Sequence, residues 1–66
     1  MNVVLYTTGC PKCVVLKSKL DNKSIRYDVK EGEEEIKKKG FLTAPLLEVD
    51  GKIFEFMDAI NWINQV

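Results

Sequence analysis

Residues 3–13 read V-V-L-Y-T-T-G-C-P-K-C. The continuous apolar run Val3-Val4-Leu5-Tyr6 predicts a short strand buried on both faces, as strands of parallel sheets are. Thr7-Thr8-Gly9 breaks the run, and Pro11 has the fixed φ that suits the first position of a helix. The stretch therefore predicts strand, turn and helix in immediate succession. The chain's two cysteines lie at the join, Cys10 just before the helix and Cys13 one turn inside it.

Downstream, Val14, Val15, Leu16 and Leu20 spread apolar side chains around this helix, with Lys17 and Lys19 towards water, until Asp21-Asn22-Lys23 ends it. Ser24 to Val29 alternates, with Ile25 and Tyr27 on one face and Arg26 and Asp28 on the other, and predicts a second strand. Glu31 to Lys39 predicts a short charged helix. Its acids come first and its bases last, the order that complements the helix dipole, and Ile36 is its apolar anchor. Gly40 fits the left-handed position that stops such a helix. Asp50-Gly51 between Leu46–Val49 and Lys52–Glu55 predicts a two-residue hairpin turn. Asp58 is the expected cap of a last helix that turns Ile60, Trp62 and Ile63 inward, with Phe56 packing beside its start. The order β-α-β-α-β-β-α over residues 1–66 predicts a single α/β domain with a four-stranded mixed sheet and three helices. In open α/β sheets, sites gather where a strand ends and a helix begins, which is where the cysteines fall.

Composition narrows the function classes. Ten basic residues balance ten acidic ones, so no positive field marks a nucleic-acid binder. No apolar run reaches the ~20 residues of a membrane helix. Nothing resembles a basic segment followed by a cleavable apolar stretch, and the expectation is a soluble cytoplasmic protein. In that compartment a close cysteine pair is catalytic or metal-binding more often than structural. A disulfide closing so short a loop adds little stability. The chain contains no histidine, the commonest general base and metal ligand.

The cysteine spacing permits reversible redox chemistry. Cys10, not yet helical, can close on Cys13 to disulfide distance. The unpaired N–H groups of the helix start and the charge of Lys12 favour a thiolate at Cys10, and Cys13, further inside, is expected to stay protonated. On this reading Cys10 attacks a target disulfide and Cys13 resolves the mixed disulfide. Two alternatives stay open. A Cys-X-X-Cys pair is half of a tetrahedral zinc site, so two chains sharing zinc or an iron–sulfur cluster would form a metal-bridged dimer. A non-catalytic adaptor with the same fold is the other.

T-G-C-P-K-C after the first strand, Thr43-Ala44-Pro45 before the third, and the Asp-Gly hairpin with its final helix together resemble the glutaredoxin family over nearly the whole chain. The resemblance implies the thioredoxin-like fold and a thiol–disulfide oxidoreductase in which Cys10 is the nucleophile and Cys13 the resolving thiol. It implies a cis Ala44–Pro45 bond beside the cysteines, with Ala44 pairing its backbone with the substrate as an added strand. Around the thiols it implies a substrate-binding set of Pro11, Lys12, Thr43, Ala44, Pro45 and Asp58, with Tyr6 as an aromatic neighbour and no metal. It further implies a monomer with no bound cofactor beyond the redox-active Cys10–Cys13 pair. The resemblance also implies thioredoxin reductase or glutathione as external reductant and a protein disulfide, such as that of ribonucleotide reductase, as partner; neither nucleic acid nor a membrane is expected. Glutathione-using members carry a Gly-Gly pair where this chain has Glu55 and Phe56, and a basic residue where it has Thr7-Thr8. Glu55 would repel the carboxylates of glutathione. Phe56-Met57-Asp58 is closer to the thioredoxin-reductase-dependent members that serve ribonucleotide reductase.

Overall fold

The apolar run at the start of the chain forms the strand β1, Val3–Thr7, and every side chain in it except Val4 is buried. The computed structural model describes residues 2–66. Its elements follow as α1 (Pro11–Asn22), β2 (Asp28–Glu31), α2 (Glu33–Lys38), β3 (Leu46–Val49), β4 (Lys52–Phe54) and α3 (Phe56–Gln65). The sheet runs β2-β1-β3-β4, with β1 parallel to β2 and antiparallel to β3, and β3 antiparallel to β4. Four mixed strands with three helices, together with the structural likeness described below, make this a thioredoxin-like fold.

The two faces of β1 follow from the period of two along a strand. Val3 and Leu5 point to the face covered by α1 and α3, where they pack with Leu16, Leu20, Leu47, Ala59 and Ile63. Tyr6 points to the other face and packs with Ile36 of α2 and with Leu46. The register keeps partners on matching sides, Leu5 against Leu47 and Tyr6 against Leu46. Ile36 is the one buried residue of α2, as its sequence pattern requires. On α1 only Cys13, Leu16 and Leu20 are buried, whereas Val14 and Val15 face outward.

The boundaries differ from the sequence reading most around the second strand. The second strand occupies Asp28–Glu31 rather than Ser24–Val29. Ser24 instead takes a left-handed φ of 56° and closes the end of α1, with its N–H and that of Ile25 donating to the carbonyls of Asp21 and Leu20. Ile25 and Tyr27 still pack against the core, but the ladder to β1 begins only at the Val4–Asp28 pair. Glu31 therefore belongs to β2 opposite Thr7, not to α2. Gly32, at φ 112°, turns the chain into α2, and its N–H donates to the Thr7 carbonyl at 3.0 Å.

Asp58 does not cap the last helix. The cap position is Glu55, three residues earlier, because the N–H of Ala59 already bonds to the Glu55 carbonyl at 2.8 Å. The hairpin matches its expectation: Asp50 (φ 49°) and Gly51 (φ 88°) are both left-handed, as a type I′ turn needs.

Candidate functional site

Cys10 is the N-cap of α1, in extended conformation (φ −74°, ψ 164°), and the first helical bond runs from Val14 N–H to its carbonyl at 3.2 Å. An N-cap side chain ordinarily accepts from the N–H two or three residues on. No side chain does so here, and Pro11 has no N–H to offer. The N–H groups of Lys12 and Cys13 are therefore the open donors of this helix start.

Both cysteines are free, and their sulfurs stand 2.8 Å apart in a hydrogen bond. They differ in exposure. Cys10 Sγ belongs to a half-buried residue, whereas Cys13 is 2% exposed. Burial raises the Cys13 pKa, but the Cys10 thiol, the Thr7 hydroxyl and the backbone of Thr8 and Cys10 together outweigh it and bring Cys13 down to about 7. The Thr7 oxygen accepts the Gly9 N–H at 3.0 Å, which leaves its proton free for the sulfur.

The expectation was a Cys13 that stays protonated; the donors that converge on the inner sulfur instead lower its pKa. Thr7 is the residue the sequence reading missed. Its signal was available in the strand period, since Leu5 and Thr7 share the face that α1 covers.

Beside the thiols lies a groove of about 590 Å³ lined by Lys12, Thr43, Ala44, Pro45, Glu55, Phe56, Met57 and Asp58. The fold thus brings together five of the residues singled out from sequence: Lys12, Thr43, Ala44, Pro45 and Asp58. The Ala44–Pro45 bond is cis and Pro45 is fully buried beneath the groove. Lys12 Nζ sits 5.4 Å from the centre of the Phe56 ring, which ties the start of α1 to the start of α3. Met57 is 66% exposed and adds an apolar wall, whereas Phe54 and Phe56 pack mainly into the core. No backbone bond outside the regular elements involves Thr43 or Ala44 among the described residues, so this edge is open to an added strand.

Two sequence-predicted residues fall outside the groove. Pro11 is exposed and starts the helix without lining the groove. Tyr6 is 2% exposed in the cluster under α2. Its hydroxyl donates to Glu48 Oε1 at 2.9 Å, and Lys39 pairs with the same carboxylate at 3.1 Å. Tyr6 is a buried core residue whose hydroxyl joins a partly exposed polar network with Glu48 and Lys39. Burial and then the Glu48 hydrogen bond hold its hydroxyl above the ordinary range.

Among the described residues no three His, Cys, Asp or Glu side chains gather as a metal site, and no helix is long and apolar enough to cross a membrane. No protein-family model matches the chain, and no curated protein matches it in sequence. Among solved structures it is similar to an epsilon-class glutathione S-transferase from the housefly, Musca domestica, with a TM-score of 0.70 and 23% identity. The match covers 97% of this chain and 33% of the transferase, so the chain spans about a third of that protein's length.

Proposed function

We propose that the protein is a glutaredoxin-like thiol–disulfide oxidoreductase that works through both cysteines. The observation that carries this is the arrangement of the two sulfurs: 2.8 Å apart, one reachable and one buried, at an uncapped helix start beside an open groove. Thiolates sharing one tetrahedral zinc sit about 3.8 Å apart, given Zn–S bonds of about 2.3 Å. The chain offers no histidine and no further cysteine to complete such a site, so zinc would need a second chain, and a dithiol is favoured.

The chemistry follows from the shared proton. When the pair has lost one proton, the two sulfurs share the other across their hydrogen bond. When a disulfide enters the groove, the proton passes to Cys13 and Cys10 attacks as the thiolate. A bond forms between Cys10 Sγ and one substrate sulfur as the substrate S–S bond breaks, and the other half leaves as a thiolate. Cys13, losing its proton to that thiolate, then attacks Cys10 Sγ. The Cys10–Cys13 disulfide forms and the second substrate thiolate departs. Two electrons have passed from the pair to the substrate, and an external reductant restores the dithiol.

Glu55 and Phe56 in the groove favour thioredoxin reductase over glutathione as that reductant, because Glu55 faces the place where a small acidic thiol would lie. The decisive experiment uses Cys13→Ser and Cys10→Ser with a disulfide-bonded protein substrate. Cys13→Ser accumulates a mixed disulfide through Cys10, and Cys10→Ser neither traps nor turns over. Disulfide reduction that survives in Cys10→Ser sinks the reading. Reduction of the oxidised pair is expected to be faster with thioredoxin reductase than with glutathione.

A further inference from the structure

Thr7 ends β1, and the strand period turns its side chain to the face that α1 covers, the face of Leu5. It is 9% exposed and, apart from Tyr6 and the Cys13 thiol, the one polar side chain buried among the described residues. Its backbone is held by pairing with Glu31 and by the Gly32 N–H, which donates to the Thr7 carbonyl at 3.0 Å. Its side chain is held as well, because Oγ1 accepts the Gly9 N–H at 3.0 Å. Thr7, Gly9 and Cys13 line one small cavity of about 150 Å³. A hydroxyl that accepts from one neighbour still has its own proton to give, and the inner sulfur is the acceptor on this face.

The donors to Cys13 differ between the two steps of the exchange. In the reduced protein they include the Cys10 thiol, 2.8 Å away. Burial works against a Cys13 thiolate; the Cys10 thiol, the Thr7 hydroxyl and the backbone of Thr8 and Cys10 work for it, in that order. Once Cys10 is bonded to a substrate sulfur it has no proton, so the first of these donors is lost just when Cys13 must attack. We propose that Thr7 is a positioning residue for this second, resolving step: its hydroxyl is the side-chain donor left to Cys13 in the mixed disulfide, while its oxygen holds the Gly9 turn that carries Cys10. In that step a bond forms between Cys13 Sγ and Cys10 Sγ, the Cys10–substrate bond breaks, and the substrate half leaves as its thiolate. The inference rests on the thiol–disulfide reading above and assigns a residue to one step of it. The charged groups around the pair are Lys17 and Glu31, which share the cavity with Cys13, and Lys12, Glu55 and Asp58 in the groove. Replacing Thr7 leaves all of them in place.

The test follows a disulfide-bonded peptide through a single turnover, with acid quenching and mass spectrometry to count the mixed disulfide. Thr7→Val keeps the shape and removes the hydroxyl, whereas Thr7→Ser keeps the hydroxyl. A Cys13 midpoint raised by about half a unit to one unit lowers the thiolate fraction about three- to tenfold at acidic pH. A more basic thiolate is the better nucleophile, which recovers roughly half of that loss on a logarithmic scale. Thr7→Val should therefore slow decay of the mixed disulfide about two- to fourfold at about pH 6. It should not slow decay at a pH where Cys13 is fully thiolate in both proteins, and Thr7→Ser should match the unaltered protein. In a Cys10→Ala background, which removes the outer thiol as the mixed disulfide does, Thr7→Val should raise the midpoint of Cys13 thiolate absorbance and Thr7→Ser should not. Circular dichroism checks folding, and Thr7→Ala carries the same expectations should Thr7→Val not fold.

Unchanged decay in Thr7→Val at about pH 6, a slowing that is equal at every pH, or a Thr7→Ser variant that behaves like Thr7→Val would overturn this inference and leave the oxidoreductase standing. An unmoved absorbance midpoint in the Cys10→Ala background would overturn it too. A mixed disulfide that forms in none of the proteins, or disulfide reduction that Cys10→Ser preserves, would remove the oxidoreductase reading and the inference with it.

Discussion

Helices α1 and α3 begin in the same way and carry different chemistry. Each has an extended N-cap, Cys10 (φ −74°, ψ 164°) or Glu55 (φ −79°, ψ 176°), and neither receives a side-chain cap. Each has a residue of the same chemical type three positions on, Cys13 or Asp58. The two starts meet where Lys12 lies over Phe56. A helix start leaves N–H groups open and carries partial positive charge, so both pairs sit where negative charge is favoured. At α3 the charge is permanent and belongs to exposed carboxylates. At α1 it is conditional, because it depends on a thiol proton. The same backbone device thus carries a pair of carboxylates in one case and a pair of thiols in the other. Both helices also go without the stability that a serine or aspartate cap would give.

The comparison breaks first at Cys10. Cys10→Ser should remove disulfide reduction altogether, and it also places a good capping hydroxyl at the start of α1. The variant is therefore expected to be inactive and more stable, by about 0.5–1 kcal/mol in denaturant unfolding of the reduced protein. A less stable variant would mean that the thiol already satisfies the helix start.

Next comes the core the two helices share. Leu16 on α1 and Ile63 on α3 are both buried in one cluster. Leu16→Ala and Ile63→Ala should each cost about 2–5 kcal/mol, enough to unfold much of so small a domain at ambient temperature. A much smaller cost for Ile63→Ala would show that α3 is not anchored as α1 is.

The conditional charge can be read by pH. The folded Cys13 pKa lies below that of an ordinary thiol, so between about 7 and 9 the unfolded chain binds more protons than the folded one. Stability of the reduced protein should therefore rise across that window, by on the order of 1–2 kcal/mol, and be lost as pH falls through about 7. The disulfide form should lack the effect. Thr7→Val removes one donor and should raise the midpoint of thiolate absorbance by about half a unit to one unit. An unmoved midpoint would take Thr7 out of the site.

The smallest effect belongs to α3. Glu55→Ser should stabilise the fold by about 0.5 kcal/mol by capping that helix. A gain equal to that of Cys10→Ser would show that the two starts are equivalent in energy as well as geometry.

Much of the fold was legible because short-range rules apply strongly here. Val3–Tyr6, Pro11, Gly40 and Asp50-Gly51 each impose a local conformation regardless of context, and all sit where the sequence reading put them. Cys10 as N-cap followed from the same logic. The second strand was misplaced because alternation at Ile25 and Tyr27 marks an extended, half-buried chain, whereas strand pairing depends on which residues β1 presents. Asp58 was misassigned as a cap for a similar reason: the preceding strand ends at Phe54 and the helix begins at once.

The sequence by itself determined the element order, the turn chemistry and the close placement of the two cysteines, since these depend on residues close together in the chain. Tertiary structure decided that Thr7 meets Cys13 and helps lower its pKa, because the two come together only through the packing of β1 under α1. It also decided that Tyr6 belongs to the core with Glu48, 42 positions away in the chain. Charges and hydrogen bonds act through space, and only the folded sheet fixes those distances.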